Sequence, residues 1–352
     1  MKRKVLVVGC GGIGERHIRV LSGISDVELS ICDINVDLLN RLKNTYKISD
    51  IYNIWSSIEL EQFDTVVIST PAHLHVSMIN NALQANCHVL CEKPLALSLE
   101  GIQKLIALSH EKNKTVGVAY IYRSMPALNL LREKIISGEI GYVKSVSFVV
   151  GSDYPFYRPD YKEIYYNDLS KGGGALHDAV SHMINYIEWC VGPIESIYCM
   201  ARHLVLPGVD VEDTVSSIMT FENSDAIGTL ALNQFQRTYG IMFDFVGTEG
   251  VLKFDGTTHS IGICKEPHRE YVWSPKMSLD RDDYHRMQFE NFFRAVDNHE
   301  PFICTLEEAE TTLKTILAAH ESVKLNRPVE VFKKHFHAPT LNTVKSFQLN
   351  KV

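Results

Sequence analysis

The sequence predicts an α/β protein in which a doubly wound (Rossmann) parallel sheet is followed by an α+β domain with a large, mostly antiparallel open sheet. Strand-like and helix-like segments alternate over residues 1–122, which is typical of a doubly wound sheet. From residue 123 onward, runs of strands separated by turn residues replace this alternation. We therefore predict two domains, 1–122 and 123–332, and a tail at 333–352 of uncertain structure.

The first half opens with KVLVVGCGGIGERHIRVLSG, which has the pattern of a buried strand, a glycine-rich turn and a helix. The strand VELSICDIN, the helix DLLNRLKNTY and the strand DTVVISTP follow, and the last is rich in the β-branched residues that suit a buried parallel sheet. VSMINNALQAN, CHVLCEKP and LSLEGIQKLIALSHEKN continue as helix, strand and helix, with Ser98 as the expected N-cap of the last. KTVGVAY is a further strand.

The second half contains helices at ALNLLREKIISGEIG and ALHDAVSHMINYIEWCVG, with the long tyrosine-rich loop DYPFYRPDYKEIYYNDLSKGGG before the second. YVKSVSFVV, DTVSSIMTFE, AIGTLALNQF, IMFDFVGTEGVLKFD and SIGICK are predicted strands, and two amphipathic helices follow them. Because an open sheet usually needs a cover on each face, we expect a homodimer or homotetramer built on it.

Composition excludes several classes of function. The 352 residues are 45% hydrophobic and 22% charged, so a disordered or fibrous chain is excluded. A net charge of -7 offers no broad basic face, so neither nucleic acid nor a membrane surface is an expected partner. No apolar run approaches the roughly 20 residues that a membrane-spanning helix needs. The eight cysteines are scattered without a CxxC pair, which favours reduced thiols and a cytoplasmic protein.

The glycine-rich turn predicts a dinucleotide site. Gly9-x-Gly11-x-x-Gly14 follows a strand and opens a helix, whose free N–H groups and dipole favour a pyrophosphate. Asp33 ends the next strand, where a carboxylate accepts hydrogen bonds from a ribose 2′-hydroxyl and would repel a 2′-phosphate. NAD is therefore favoured over NADP. The predicted contacts in the turn are Gly9, Gly11, Gly12, Ile13 and Gly14.

Two further places in the sequence offer catalytic groups. Lys93 follows the strand CHVLC at the edge where open α/β sheets bind ligands, and an ammonium there can polarise a hydroxyl or carbonyl oxygen. Asp178 and His182 are four residues apart, so a helix places both on one face. Such a pair suits removal of a proton from an alcohol, with the histidine near its ordinary pKa and the carboxylate supporting it. Taken alone, each group also fits a surface ion pair without chemistry.

These motifs together resemble the Gfo/Idh/MocA oxidoreductases, named for glucose–fructose oxidoreductase and inositol dehydrogenase. GCGGIGERH, DTVVISTPAHLH and CEKPLALS carry the resemblance in the first half, and GGGALHDAVSHMINYIEWCVG and FVGTEGVLKFD carry it in the second. The resemblance implies catalytic residues at Lys93, Asp178 and His182 and implies no metal. The sequence departs from the family pattern at Asn185, where an acid is usual, and at Ile121, where an asparagine is often found.

The resemblance also implies further contacts. The predicted cofactor contacts beyond the turn and Asp33 are Ser69, Thr70, Pro71, His75, Glu92 and Lys93. The predicted substrate contacts are Lys93, Arg123, Tyr154, Arg158, Tyr161, Tyr165, Asp178 and His182. Tyrosines can line a sugar site by stacking on ring faces and bonding hydroxyls, although a subunit contact would suit them equally.

The expected activity is NAD-dependent oxidation of a secondary hydroxyl of a sugar, sugar derivative or inositol-type polyol, or reduction of the ketone. His182 is the expected general base, Asp178 its support and Lys93 the donor to the reacting oxygen. An alternative assignment gives the proton transfer to Lys93. Two alternatives remain open at this stage. One is a non-catalytic protein that senses the dinucleotide, and the other is glycoside cleavage through transient oxidation on the same fold.

Overall fold

The computed structural model describes residues 2–332, so the predicted tail at 333–352 lies outside the described residues. The first sheet contains β1 Arg3–Val8, β2 Val27–Cys32, β3 Ile51–Tyr52, β4 Thr65–Ile68, β5 His88–Cys91 and β6 Val116–Val118. All its strands are parallel, in the order β3-β2-β1-β4-β5-β6. The helices between them are α1 Gly12–Ser22, α2 Val36–Thr45, α3 His75–Gln84 and α4 Ile102–Glu111. The strand order reverses between β1 and β4, which opens a crevice at their carboxyl ends.

The predicted N-cap of α4 is wrong. The helix begins at Ile102 behind Gly101, whose φ of +82° is left-handed backbone. Ser98 lies outside the helix, and its hydroxyl accepts a 3.4 Å hydrogen bond from the N–H of Glu100. The serine therefore closes a turn before the helix, because the left-handed glycine interrupts the helical path.

The second half begins with α5 Pro126–Ile136, β7 Val143–Asp153, the short α6 Tyr154–Tyr157 and α7 Ser181–Val191. It continues with β8 Ile194–Arg202, β9 Thr214–Phe221, β10 Ser224–Asn233, β11 Phe235–Gly247, β12 Gly250–Asp255, β13 Ser260–Lys265 and β14 Val272–Trp273. The last elements are α8 Arg281–Asn298, α9 Leu306–Leu325 and β15 Val329–Glu330. The nine strands form one sheet in the order β14-β13-β12-β11-β7-β10-β9-β8-β15. Only the β7–β10 pair is parallel within the described residues, so the predicted open, mostly antiparallel sheet is confirmed.

The second sheet has one buried and one open face. Its strands alternate, so that Val215 and Met219 of β9 point into a core shared with α5, α7 and α9. Ile218 of the same strand is 53% exposed on the other face, where Ile227 is 56% exposed and Val149 53%. A regular stripe of exposed β-branched residues on a sheet is typical of a surface that another chain covers.

Helices of the second half contribute to the core of the first sheet. Phe289 and Phe292 of α8, together with Leu313 of α9, pack in the cluster formed by the first sheet. Each sheet has its own core cluster, and α9 contributes Leu313 to the first and Ile316 to the second. This packing fixes the carboxyl edge of the first sheet against the helices of the second half. Over residues 2–332, no helix is long and apolar enough to cross a membrane.

Candidate active site

The three glycines of the turn have different surroundings. Gly9 has φ +83°, and a Cβ there would lie 2.6 Å from the carbonyl oxygen of Ser69. A Cβ on Gly14 would overlap the carbonyl oxygen of Gly9. A Cβ on Gly11, by contrast, would meet no atom within 4 Å. The outer glycines thus permit close packing of strand against helix, while Gly11 leaves open space over the N-terminus of α1 that fits a pyrophosphate.

Asp33 is fixed beside this turn. Its Oδ2 accepts a 2.7 Å hydrogen bond from the N–H of Cys10, and its Oδ1 accepts one of 2.8 Å from the N–H of Asn35. The next residue, Ile34, is 93% exposed and leaves an apolar surface next to the carboxylate. A carboxylate beside an apolar side chain fits the ribose and adenine of a dinucleotide without a 2′-phosphate.

Arg158 approaches the turn from the second half of the chain. A Cβ on Gly12 would lie 3.0 Å from Nη1 of Arg158. Within the described residues, its guanidinium has neither a hydrogen bond nor an ion pair. An uncompensated guanidinium at the start of α1 suits an anionic group bound there.

Lys93 and Asp178 form the centre of the site. Lys93 Nζ donates to Asp178 Oδ1 at 2.7 Å and to the carbonyl oxygen of Asp178 at 2.9 Å. Their side chains are only 13% and 14% exposed. An ammonium has three protons, so two are used on Asp178 and the described residues offer no partner for the third. That third N–H is available to a ligand oxygen.

Two tyrosines complete the surroundings of Asp178. Tyr165 donates to Oδ1 at 2.7 Å and Tyr154 to Oδ2 at 3.3 Å. Burial opposes ionisation of Asp178, but the charge and hydrogen bond of Lys93, with that of Tyr165, hold its pKa well below the usual range. Burial and the nearby carboxylate raise the pKa of both phenols, which therefore remain protonated donors.

The backbone that presents Asp178 is a π-helical turn, Leu176–Val180, that leads into α7. It follows the three glycines Gly172, Gly173 and Gly174, a composition that would allow a close approach to a ligand. In the structure they approach protein atoms instead, since a Cβ on Gly174 would lie 2.5 Å from Oε1 of Glu212, which also accepts a 3.0 Å hydrogen bond from Leu176 N–H. The glycines therefore allow the turn to be anchored tightly, and π-turns are frequent at functional sites.

His182 stands one turn after Asp178, next to the aromatic rings of Tyr122 and Tyr120. The Tyr122 ring stacks on it at 5.3 Å, and the Tyr120 ring meets it edge-on at 5.7 Å. Burial and the charge of Lys93 lower the pKa of His182 to about 3, although Asp178 opposes this shift. The expectation of a histidine near its ordinary pKa is therefore corrected, and the imidazole is neutral at pH 7. No hydrogen bond joins it to Asp178 among the described residues, because the carboxylate is occupied by Lys93 and the tyrosines.

The structure does not bring two of the predicted substrate residues to this centre. Arg123 is 1% exposed and donates to Asn185 at 2.8 Å, to the carbonyl oxygen of Ile303 at 2.7 Å and to Glu308 at 2.6 Å. It ties α7 to the start of α9. Tyr161 is 3% exposed, and its hydroxyl donates to the carbonyl oxygen of Pro207 at 2.7 Å.

The loops after β4 and β5 surround the crevice. Ser69 donates to the carbonyl oxygen of Gly9 at 2.7 Å, while Thr70 and Pro71 continue the loop. His75 is 1% exposed, with its ring nitrogens 2.8 Å from the carbonyl oxygen of Thr70 and 3.0 Å from that of Pro94. His75 therefore joins the two loops behind the crevice and does not face a ligand.

Glu92 also points away from the crevice. Its partner is His17, a residue that the sequence analysis did not single out. Its Oε1 lies 2.7 Å from Nε2 of His17 on α1, and its Oε2 accepts a 3.2 Å hydrogen bond from the N–H of Lys93. His17 was present in the quoted motif GCGGIGERH but had no partner that sequence could show. Over residues 2–332, no group of three or more His, Cys, Asp or Glu residues is arranged to hold a metal ion.

The chain is similar to known proteins in sequence and in fold. Residues 3–120 match the family described as an oxidoreductase family with an NAD-binding Rossmann fold, and residues 128–253 match the GFO/IDH/MocA C-terminal domain. The chain is 28% identical over 283 residues to levoglucosan dehydrogenase of Pseudarthrobacter phenanthrenivorans, covering 71% of this chain and 72% of that one. It is 22% identical to D-glucoside 3-dehydrogenase of Escherichia coli, over 93% and 97% of the two chains. A solved levoglucosan dehydrogenase in complex with NADH and levoglucosan has the same fold, with a TM-score of 0.86, 22% identity and coverage of 95% and 100%.

Proposed function

Since the chain belongs to the Gfo/Idh/MocA oxidoreductase family, we propose that it oxidises a secondary hydroxyl of a sugar, sugar derivative or inositol-type polyol with NAD, or reduces the corresponding ketone. One observation carries the proposal. Lys93 is held by two hydrogen bonds to Asp178 at the carboxyl edge of the first sheet, with one N–H left for a ligand. The names of the relatives, which act on levoglucosan or a D-glucoside, support a carbohydrate substrate.

The cofactor would lie along the crevice at the switch point. Gly11, the N-terminus of α1 and Arg158 would hold the pyrophosphate, and Asp33 with Ile34 would select NAD over NADP. When bound, a nicotinamide supplies a hydride acceptor or donor at its C4. The protein's own residues must then bind the alcohol and move its proton.

The electrostatics suggest how these residues divide the work. The neutral imidazole of His182 is in the form that can accept the hydroxyl proton as the carbon is oxidised. The free N–H of Lys93 would donate to the same oxygen and stabilise its developing negative charge. Asp178 would hold Lys93 rather than the imidazole, and Tyr154 and Tyr165 would restrain Asp178. In the reverse reaction, Lys93 would stabilise the negative charge that develops on the carbonyl oxygen while the carbonyl carbon accepts hydride.

The open face of the second sheet supports a homodimer or homotetramer. Ile218, Ile227 and Val149 are each more than half exposed on strands β9, β10 and β7, which are neighbours in the sheet. A second copy of this chain would remove them from water. All eight cysteines are free thiols, which supports a reducing compartment such as the cytoplasm.

The test is a panel of inositols, hexoses, sugar phosphates and nucleotide sugars, assayed with NAD and NADP in parallel. We expect the wild type to reduce NAD with at least one compound, and Lys93→Met to lose about 10²- to 10⁴-fold in rate. Lys144→Met is the matched control, since Lys144 pairs with Asp225 on the surface. NADH binding without turnover across the whole panel would contradict the proposal and favour a dinucleotide sensor. Release of the aglycone from a glycoside would point to cleavage through oxidation.

A further inference from the structure

The buried pair formed by His17 and Glu92 lies between the cofactor-binding helix and the proposed catalytic lysine. His17 is fully buried in the second turn of α1, and Glu92 is 8% exposed immediately before Lys93. The 2.7 Å contact between Nε2 and Oε1 is the link between α1 and the loop after β5. The other carboxylate oxygen accepts the N–H of Lys93 at 3.2 Å. One carboxylate therefore connects α1 directly to the backbone of Lys93.

The surroundings of His17 fix which nitrogen carries the proton. Its Nδ1 is buried without a hydrogen-bond partner among residues 2–332, and its ring packs edge-on against His285 at 5.4 Å and Phe289 at 5.3 Å. A proton on Nδ1 would be a buried donor without an acceptor, which is costly. The tautomer with the proton on Nε2 avoids this cost and donates to Glu92.

We propose that His17, acting through Glu92, is a positioning residue that sets the backbone of Lys93 relative to α1 and hence to the bound dinucleotide. The inference rests on the proposed function of Lys93. The contributions of the hydrogen bond and of the ring packing of His17 can be tested separately, because different substitutions remove each of them. A displacement of the lysine by even about 1 Å would lower turnover on the order of 10²-fold.

Two variants separate the contributions. His17→Phe keeps a ring against His285 and Phe289 but loses the donor. His17→Gln loses the ring but can place an amide N–H near the former Nε2. If His17 positions Lys93, the Phe variant loses about 10- to 100-fold in kcat at nearly unchanged affinity for NADH, and the Gln variant stays within roughly 5-fold of wild type. If His17 only packs, this order is reversed, because Phe then is the milder change.

A third variant tests Glu92, which joins His17 to the backbone of Lys93 by hydrogen bonds. Glu92→Gln keeps an acceptor for His17, but its amide NH₂ cannot accept the N–H of Lys93. The proposal predicts that this variant resembles His17→Phe and that combining the two lowers kcat no further than either alone. Additive losses would overturn it.

A readout that needs no turnover keeps this inference distinct from the proposed function. Acetic anhydride labelling followed by peptide mass spectrometry gives the reactivity of Lys93 relative to Lys144. We expect Lys93 to become several-fold more reactive in His17→Phe and in Glu92→Gln, but not in His17→Gln. Equal reactivity in all three variants and the wild type would refute the positioning role. If no sugar is oxidised but the labelling order holds, the proposed function fails and the positioning of Lys93 stands.

Discussion

Removing the charge of Lys93 is expected to destabilise the protein in a way that depends on Asp178 and on pH. At 2.7 Å and an effective dielectric constant of about 20, two unit charges attract by about 6 kcal/mol before the cost of desolvation is subtracted. Breaking such a buried pair by removing one partner costs about 3–5 kcal/mol. The tyrosines remain as donors to Asp178, so we expect the lower end, about 3 kcal/mol, for Lys93→Met.

The assay is thermal unfolding followed by tryptophan fluorescence. The unfolding entropy of a 352-residue chain is about 0.7 kcal/mol/K, so a loss of about 3 kcal/mol corresponds to a fall in Tm of roughly 4 °C in Lys93→Met. The Lys93→Met/Asp178→Asn double variant leaves no unpaired charge, so it should be less destabilised than the sum of its single variants by about 2 kcal/mol. Lys144→Met is the control, because its pair with Asp225 is 44% and 76% exposed and is therefore screened by water, so little change in Tm is expected.

The destabilisation caused by Lys93→Met should become smaller as the pH falls. In the wild type the folded-state pKa of Asp178 is lowered, so its contribution to stability is present above the unfolded pKa and is lost as pH falls below it. In Lys93→Met, burial is expected to raise the pKa of Asp178. As the pH falls through that raised pKa, Asp178 becomes protonated, and the cost of its unpaired charge disappears. The gap in Tm between wild type and Lys93→Met should therefore narrow from pH 7.5 to pH 4.5. A constant gap, or strictly additive variants, would refute the electrostatic reasoning.

Four further outcomes are expected. Gly14→Ala should lower the melting temperature, because its Cβ would overlap the Gly9 carbonyl, whereas Gly11→Ala should melt like wild type but bind NADH more weakly by fluorescence titration. Asp33→Ser should reduce the preference for NAD over NADP, measured as the ratio of the two dissociation constants. Burial lowers the pKa of His285 to about 2, so the free energy of unfolding should fall as pH drops below about 6.5, by up to about 1.4 kcal/mol per pH unit. Urea titrations of His285→Phe should show a smaller dependence on pH. Ile218→Glu should lower the mass measured by light scattering, and a wild-type monomer would contradict the proposed assembly.

The sequence predicted the main elements because their signals are local. The glycine turn and the β-branched strands each depend on neighbouring residues, and the structure confirms the fold that they indicate. Lys93 and Asp178 lie 85 positions apart. The sequence singled out both residues for the site but paired Asp178 with His182, so their direct contact is seen only in the structure.

The rest of the site depends on contacts that no local pattern encodes. Arg123 resembles a ligand-binding arginine in sequence, but two of its acceptors, Ile303 and Glu308, lie 180 and 185 residues away. Tyr161 and Tyr165 belong to one irregular loop without a helical or strand period, so sequence cannot tell which hydroxyl reaches Asp178. His17 could not be identified because its acceptor, Glu92, lies 75 residues later.

The number of hydrogen bonds at Asp178 changes the role that its spacing with His182 suggested. A carboxylate one helical turn from a histidine fits a support for the imidazole, but here its oxygens accept from Lys93, Tyr154 and Tyr165. The imidazole is left neutral among aromatic rings, which is the state that a base needs before a reaction. The amino group of Lys93 is held in orientation by its two hydrogen bonds to Asp178, with one N–H free. In the proposed reaction, the imidazole would remove the proton of the substrate hydroxyl, and the amino group of Lys93 would stabilise the resulting negative charge on its oxygen.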